Sequence, residues 1–260
     1  MAISQKDKRG YQMMAGAALV IAAMFALKLT LGTKPPPATD GCVGTPTSET
    51  VVVLDHSEEL AKQTLDEITK RVMRRVEERV QTNERVTVFY VSELSKKSLV
   101  PAFSRCKPPQ EGNRAYENAK GIAKVYKTSF LDPLGAAIKV APANAKESPV
   151  AQALIDISLS QYLRGRQNTL LVYSDMLEHT PKFSLLHCTE PSKTIALFRQ
   201  ARSGAQERPK FERTSVVLNI VPRLNIPATT LKCRDQVWAW FFGDNEGQGA
   251  GLETDYLPGA

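Results

Sequence analysis

The chain lacks the short motifs by which many enzymes and metal-binding domains are recognised. Its 260 residues include four cysteines and three histidines, and no two cysteines form the CxxC pair that predicts zinc or thioredoxin chemistry. The sequence also has no glycine-rich phosphate loop, no GxSxG nucleophile elbow and no HExxH segment. These absences argue against the common catalytic classes, so we expect a protein that is not an enzyme.

A large surplus of charge of one sign is also missing. The formal net charge is +7, and residues 1–32 contribute +3 of it, which leaves +4 for the rest of the chain. Domains that bind nucleic acid carry a stronger and more concentrated basic footprint. We therefore expect no nucleic-acid partner.

A long apolar run is present near the N-terminus. The letters "MMAGAALVIAAMFAL" are all apolar or small, and the stretch from Tyr11 to Leu31 has roughly the 20 residues that a transmembrane helix needs. Basic residues lie just before it, so the positive-inside rule predicts a single-pass protein with residues 1–10 as a cytoplasmic tail. The C-terminal part would then lie on the outer side, in the periplasm if the source is bacterial. A cleaved signal peptide is the alternative, although no small-x-small cleavage site follows directly.

The composition changes after the apolar run. Residues 32–48 contain three consecutive prolines with Gly, Thr and Ser around them, which predicts an extended, semi-rigid stalk. We expect the folded domain to cover residues 49–243 and a flexible C-terminal tail to cover residues 244–260.

The four cysteines are widely spaced. An even number in an oxidising compartment predicts up to two disulfides, and four cysteines allow three connectivities. We predict the pairs Cys42 with Cys106 and Cys188 with Cys233. If the topology were reversed, all four would be small core residues.

Short apolar runs alternate with helical patterns between residues 49 and 243. Apolar residues recur mostly every four residues from Leu60 to Val80, which predicts a long amphipathic helix. Strands are predicted at 50–54, 86–91, 99–103, 169–173 and 215–221, and helices at 115–126, 133–140, 148–163, 192–202 and 231–242. The third strand is expected to pair antiparallel with the second. This alternation predicts an α/β fold, a Rossmann-like and mostly parallel sheet with helices on both faces.

Two of the predicted strands end in an acid. Asp55 follows "VVVL" and Asp175 follows "VYS", and sites in open parallel sheets form beyond the carboxyl ends of the strands. The hydroxyls of Ser57 and Ser148 are expected on the same side. A cluster of carboxylate and hydroxyl oxygens is what a hard cation such as Mg²⁺ prefers. The alternative is that these residues only cap helices.

In this arrangement the chain resembles the von Willebrand factor type A (VWA) domain. The metal-ion-dependent adhesion site of that family reads Asp-x-Ser-x-Ser after the first strand, with a Thr on a later loop and an Asp after the fourth strand. Asp55 and Ser57 match the first two positions, Glu59 stands where the second Ser is expected, and Ser148 and Asp175 match the last two. The resemblance implies a site for Mg²⁺ or Mn²⁺ with one open position, which an acidic side chain of a partner protein would fill.

Three functions follow from these expectations. The first is a membrane-tethered VWA-like module that binds protein partners through a divalent cation. The second is a structural subunit of a membrane or envelope complex, in which the metal site is degenerate. The third is a phosphatase-like hydrolase, but Ser57 replaces the second acid that Asp-x-Asp chemistry requires.

Overall fold

The computed structural model describes residues 5–30, 39–55, 57, 59–91, 99–112, 118–140, 145–203, 205–243 and 252–258. The chain forms two compact units, Met1–Pro37 and Ala38–Ala260.

The first unit contains the helix α1, Gln5–Thr30. No helix in the described part of the chain combines the length and the apolar character that a bilayer crossing requires. The span predicted for residues 11–31 therefore stays a prediction.

The second unit is built on a six-stranded sheet with the order β3-β2-β1-β4-β5-β6. Its strands pair in parallel except for β3, which runs antiparallel to β2 at one edge. This confirms the predicted α/β class and the mostly parallel sheet. The strands are β1 (Ser48–Leu54), β2 (Arg85–Tyr90), β3 (Phe103–Cys106), β4 (Gln167–Ser174), β5 (Thr214–Ile220) and β6 (Leu252–Tyr256).

Helices flank both faces of the sheet, because the central strands alternate apolar residues toward two separate cores. Val52 and Leu54 lie in the core with the helix Lys62–Glu78, whereas Val51 and Val53 lie in the core with the helix Val150–Leu159. The helices are α2 (Lys62–Glu78), α3 (Ala119–Tyr126), α4 (Asp132–Ile138), α5 (Val150–Leu159), α6 (Pro191–Ala201) and α7 (Ala228–Phe242). A π-helical turn (Lys127–Leu131) joins α3 to α4, and a 3₁₀ turn (Gln161–Leu163) follows α5.

Both predicted disulfides are present, and each fastens a loop to the sheet or to a helix. Cys42 bonds to Cys106 at the end of β3, and Cys188 bonds to Cys233 on α7.

The boundaries differ from the prediction at both ends of the domain. Residues 39–48, assigned to the stalk, belong to the compact unit, because Cys42 is bonded to β3 and the backbone of Val43 pairs with the side-chain amide of Asn83. The predicted flexible tail, residues 244–260, contains β6, which pairs with β5 over five residues. The rest of the predicted stalk, residues 32–38, lies outside the described residues.

The third strand begins at Phe103, where the predicted strand ends, and it continues to Cys106. Lys107, the residue directly after this strand, is buried. Its Nζ donates to the carbonyl oxygens of Val76 at 2.7 Å and Val80 at 2.8 Å. Lys107 thus satisfies one carbonyl in the last turn of α2 and one just beyond the end of the helix.

Candidate functional site

The carboxyl ends of β1 and β4 bring the predicted acids to the same edge of the sheet. The two strands are parallel neighbours, with Leu54 opposite Tyr173. The backbone N–H of Asp55 continues this pairing, donating to the carbonyl of Tyr173 at 2.9 Å. The side chains that follow both strands are therefore neighbours.

Asp55 lies at the centre of a hydroxyl cluster. Its Oδ1 accepts hydrogen bonds from the hydroxyl of Ser57 at 2.6 Å and from the Ser57 backbone N–H at 3.1 Å. Its Oδ2 accepts from the hydroxyls of Ser148 at 2.9 Å and Ser174 at 2.7 Å. The side chain is buried, with 7% of its residue surface exposed. A carboxylate has about four lone-pair sites, and all of them are used here.

Ser148 reaches this cluster through backbone pairing with the segment after β4. Its N–H donates to the carbonyl of His179 at 2.7 Å, and its carbonyl accepts from the His179 N–H at 3.0 Å. The alternative that Ser148 only caps the helix is wrong, because α5 begins at Val150 and Pro149 occupies the N-cap position. The hydroxyl is therefore directed to Asp55 and not to the helix.

Asp175 lies beside the cluster and is paired with a cation of the chain. Its Oδ2 accepts from Nη1 of Arg223 at 2.9 Å, and its Oδ1 accepts from the backbone N–H of Leu177 at 2.8 Å. Burial and, to a smaller extent, the charge of Asp55 raise the pKa of Asp175, the contacts with Leu177 and Arg223 lower it, and the net result is a pKa of about 6. The Arg223 guanidinium therefore does not offset the combined effect of burial and of the Asp55 charge on Asp175.

The turn after Asp175 is held by two side chains of α7. Met176 has a φ of 56°, a left-handed conformation that is uncommon outside glycine. Nη1 of Arg234 donates to the carbonyl of Asp175 at 2.7 Å, and Nε1 of Trp238 donates to the carbonyl of Met176 at 2.7 Å. Both side chains are buried, so α7 fixes the backbone that carries Asp175.

A cavity of about 250 Å³ opens at this edge, and Asp55, Ser57, Asp175 and Arg223 line it. Glu59 also lines the cavity, but its residue is exposed, in contrast to the buried Asp55 and Ser57. The structure thus brings Asp55, Ser57, Ser148 and Asp175 together and leaves Glu59 at the rim. We name the four clustered residues the edge site.

The edge site meets the chemical requirement of a hard cation in part. Its donors are all oxygens, and two of them are carboxylates with a surplus of negative charge. In the described segments, however, no three side chains of the His, Cys, Asp and Glu types are grouped so as to hold a metal ion. A cation here would therefore depend on the hydroxyls of Ser57 and Ser148 as well as on the two carboxylates.

Sequence reasoning missed three residues that shape the edge site, Ser174, Arg223 and Arg234. A signal for two of them was present in the sequence, because Ser174 ends β4 and Arg223 follows β5, the next strand in the sheet. The rule that selected Asp55 and Asp175 would have selected them too. Arg234 lies within a helix, and no local pattern marks it.

No family model and no curated protein matches the chain. Among solved structures, the human COPII-coat protein Sec24c aligns with a TM-score of 0.35 and 12% identity, over 85% of this chain and 31% of that one. An aerotolerance-related membrane protein from Bacteroides fragilis, carrying multiple mutations to serine, aligns with a TM-score of 0.31 and 9% identity, over 81% of this chain and 92% of that one. The chain thus spans less than a third of the Sec24c chain. Similarities with scores of this size say nothing about function. The function is therefore inferred from the geometry of the edge site.

Proposed function

We propose that the second compact unit is a VWA-like protein-binding module that meets its partner at the edge site. The observation that carries the proposal is the position of Asp55. It is buried, it collects hydroxyls from three separate segments, and it lies beside Asp175 at the mouth of a cavity. Polar groups that converge in a concave surface are the usual mark of a binding site.

A divalent cation, Mg²⁺ or Mn²⁺, is part of the proposal. Asp55, Ser57, Ser148 and Asp175 would hold it, and the bound cation would offer an open position to an acidic side chain of the partner. The pKa of Asp175, raised to about 6 by burial and by the charge of Asp55, supports this, because added positive charge would stabilise both carboxylates. We propose binding and not catalysis, since Ser57 stands where phosphatase-type chemistry needs an acid.

We further propose that residues 11–31 tether the module to a membrane and that the module lies on the outer side. The apolar run and the basic residues before it support this orientation. The two disulfides of the domain also support it, because disulfides persist mainly in oxidising compartments.

One observation favours a second candidate, a structural subunit with a degenerate metal site. Arg223 already pairs with Asp175, and Asp55 already has four hydrogen-bond donors. In that case the edge site would stabilise the loops without a cation, and partners would bind independently of metal.

Calorimetric titration of the full-length chain with Mg²⁺ and with Mn²⁺ separates the two candidates. The variant Asp175→Asn removes one ligand charge while it keeps an acceptor for Leu177. Asp66→Asn, on the exposed face of α2, is the matched control. The metal-binding module predicts saturable binding that Asp175→Asn weakens by about tenfold or more and Asp66→Asn leaves unchanged. Absence of binding, or equal binding by the two variants, would refute the cation and favour the structural subunit.

The tether has a test of its own. We expect the full-length chain to remain in the membrane fraction after an alkaline carbonate wash, and a chain lacking residues 11–31 to be released. Release of the full-length chain would contradict the anchor without bearing on the edge site.

A further inference from the structure

A second cavity, of about 200 Å³, lies on the α2 side of the sheet, away from the hydroxyl cluster. Its floor is made by β4 and β5, and α2 and β6 form its two walls. We name it the arginine cavity, after the four arginines on α2 and at its end. It is lined by Arg71, Arg74, Arg75, Glu78, Arg79, Leu171, Tyr173, Val217, Asn219, Glu253 and Asp255.

Two buried polar side chains on the floor lack good hydrogen-bond partners. Tyr173 is 3% exposed, and its hydroxyl makes no hydrogen bond to any residue that the structure describes. Asn219 is 5% exposed, and its side-chain amide makes one long contact, of 3.5 Å, to the carbonyl of Val217 in its own strand. Because both side chains line the cavity, their polar groups are available to a ligand bound there.

The cations on the α2 wall are not equally occupied. Arg71 pairs with Glu67 at 2.8 Å and also with Asp255 of β6. Arg75 lies one turn further along α2 and is half-buried, yet it has no ion-pair partner among the described residues. Four arginines face three carboxylates in the lining, which leaves one positive charge in excess.

The protonation state of Tyr173 suits an anion. Burial raises its pKa to about 12, although the charges of Arg71 and Arg75 act in the opposite direction. The hydroxyl is therefore protonated at neutral pH and can donate a hydrogen bond. The side-chain amide of Asn219 has two N–H donors, of which only one makes a contact, the long one to Val217.

We propose that the arginine cavity binds an oxyanion, the phosphate or carboxylate group of a small molecule, between Arg75 and the hydroxyl of Tyr173. At the rim of this cavity, Arg71 already binds a carboxylate, that of Asp255. A ligand oxyanion would bind Arg75 in the same way. The apolar side chains of Leu171 and Val217 leave room for a short apolar portion of the ligand. The proposal is independent of the cation at the edge site.

The test is calorimetric titration of the full-length chain with inorganic phosphate and, separately, with acetate, at constant ionic strength and in the presence of a chelator. The chelator keeps divalent cations out of the experiment. The variants are Arg75→Gln and Tyr173→Phe, which each remove one proposed donor. Lys70→Gln is the control, because it removes one exposed positive charge from the same helix outside the cavity lining.

We expect at least one of the two anions to bind saturably. Arg75→Gln should weaken that binding about tenfold and Tyr173→Phe about threefold to tenfold, as expected for hydrogen bonds to a charged group. Lys70→Gln should leave it nearly unchanged. Binding of phosphate alone or of acetate alone would identify the class of oxyanion. Failure of both anions to bind, or equal losses in Arg75→Gln and Lys70→Gln, would overturn the proposal.

Discussion

The hydroxyl of Ser148 donates a hydrogen bond of 2.9 Å to Oδ2 of Asp55, although 93 residues separate the two in sequence. Ser174 donates to the same oxygen at 2.7 Å. The carboxylate of Asp55 thus joins the loop before α5, the end of β4 and the turn after β1. Each of these segments depends on the others for its hydrogen-bond partners.

The Ser174→Ala variant tests how far the cluster holds these loops. The hydroxyl of Ser174 donates to Asp55 and also accepts from the backbone N–H of Met176 at 2.8 Å. Its removal would leave a buried N–H without a partner, so we expect the free energy of unfolding to fall by about 2 kcal/mol. Ser57→Ala, which loses one hydroxyl donor, should cost about 1 kcal/mol. Urea denaturation measures both, and a smaller loss for Ser174→Ala than for Ser57→Ala would contradict this account.

The titration of Asp175 predicts a pH dependence of stability. Burial raises its pKa in the folded state to about 6, from an ordinary value of 3.8. The folded protein therefore binds a proton that the unfolded chain has released, so this group's contribution is fully present below about pH 4 and is lost as the pH rises through about 6. The wild-type protein should lose up to about 3 kcal/mol relative to Asp175→Asn across that window.

Urea denaturation of both proteins at intervals between about pH 4 and about pH 8 measures this difference. A difference that stays constant across the window would show that Asp175 is not protonated preferentially in the folded state.

Glu178 should also make the protein less stable as the pH rises, over a wider pH range than Asp175 does. It is buried, and its carboxylate accepts from the backbone N–H of Ala151 at 2.7 Å. Burial is the largest cause that raises its pKa to about 8, from an ordinary value of 4.5. The wild-type protein should therefore lose stability relative to Glu178→Gln up to about pH 8, beyond the window of Asp175.

Denaturation series on Glu178→Gln and on the exposed control Glu147→Gln check the width of this window. If the difference between wild type and Glu178→Gln stopped changing near about pH 6, the carboxyl group would be ionised at neutral pH and this prediction would be wrong.

Lys107→Met tests the contact between the segment after β3 and the C-terminal end of α2. The substitution keeps much of the side-chain length but removes the donors to Val76, Glu77 and Val80. Because the helix carbonyls would lose charged partners in a buried position, we expect the free energy of unfolding to fall by about 2 to 4 kcal/mol. Lys124→Met, an exposed lysine on α3, should change it by about 0.5 kcal/mol or less. Equal effects in chemical denaturation would show that the buried contact adds nothing to stability.

Much of the fold was predictable because the local spacing of apolar residues indicates its helices and strands. The four-residue spacing of Ile68, Val72 and Val76 predicts α2, and all three are buried in the structure. The continuous apolar runs of β1 and β4 likewise predict strands with two buried faces. The pairing of the cysteines was also predicted correctly, although composition alone leaves three connectivities open.

Other features were not predictable because their signals are short or distant. The strand β6 reads "LETDY", with no continuous apolar run, and only its pairing with β5 shows that it is a strand. Ser148 stands before a proline and a helix, the usual context of an N-cap, but its pairing with His179 directs the hydroxyl to Asp55. Lys107 follows a cysteine and precedes two prolines, and nothing local indicates that it is buried.

The sequence by itself determined the class of fold and the edge of the sheet at which Asp55 and Asp175 lie. These depend on hydrophobic period and on strand polarity, which neighbouring residues specify. Only the tertiary structure decided that Arg223 pairs with Asp175 and that Glu59 lies at the rim of the edge-site cavity. It also decided that Arg75, Tyr173 and Asn219 line one cavity. Those relations join residues of separate strands and helices, and the packing of these elements brings the side chains within reach of one another.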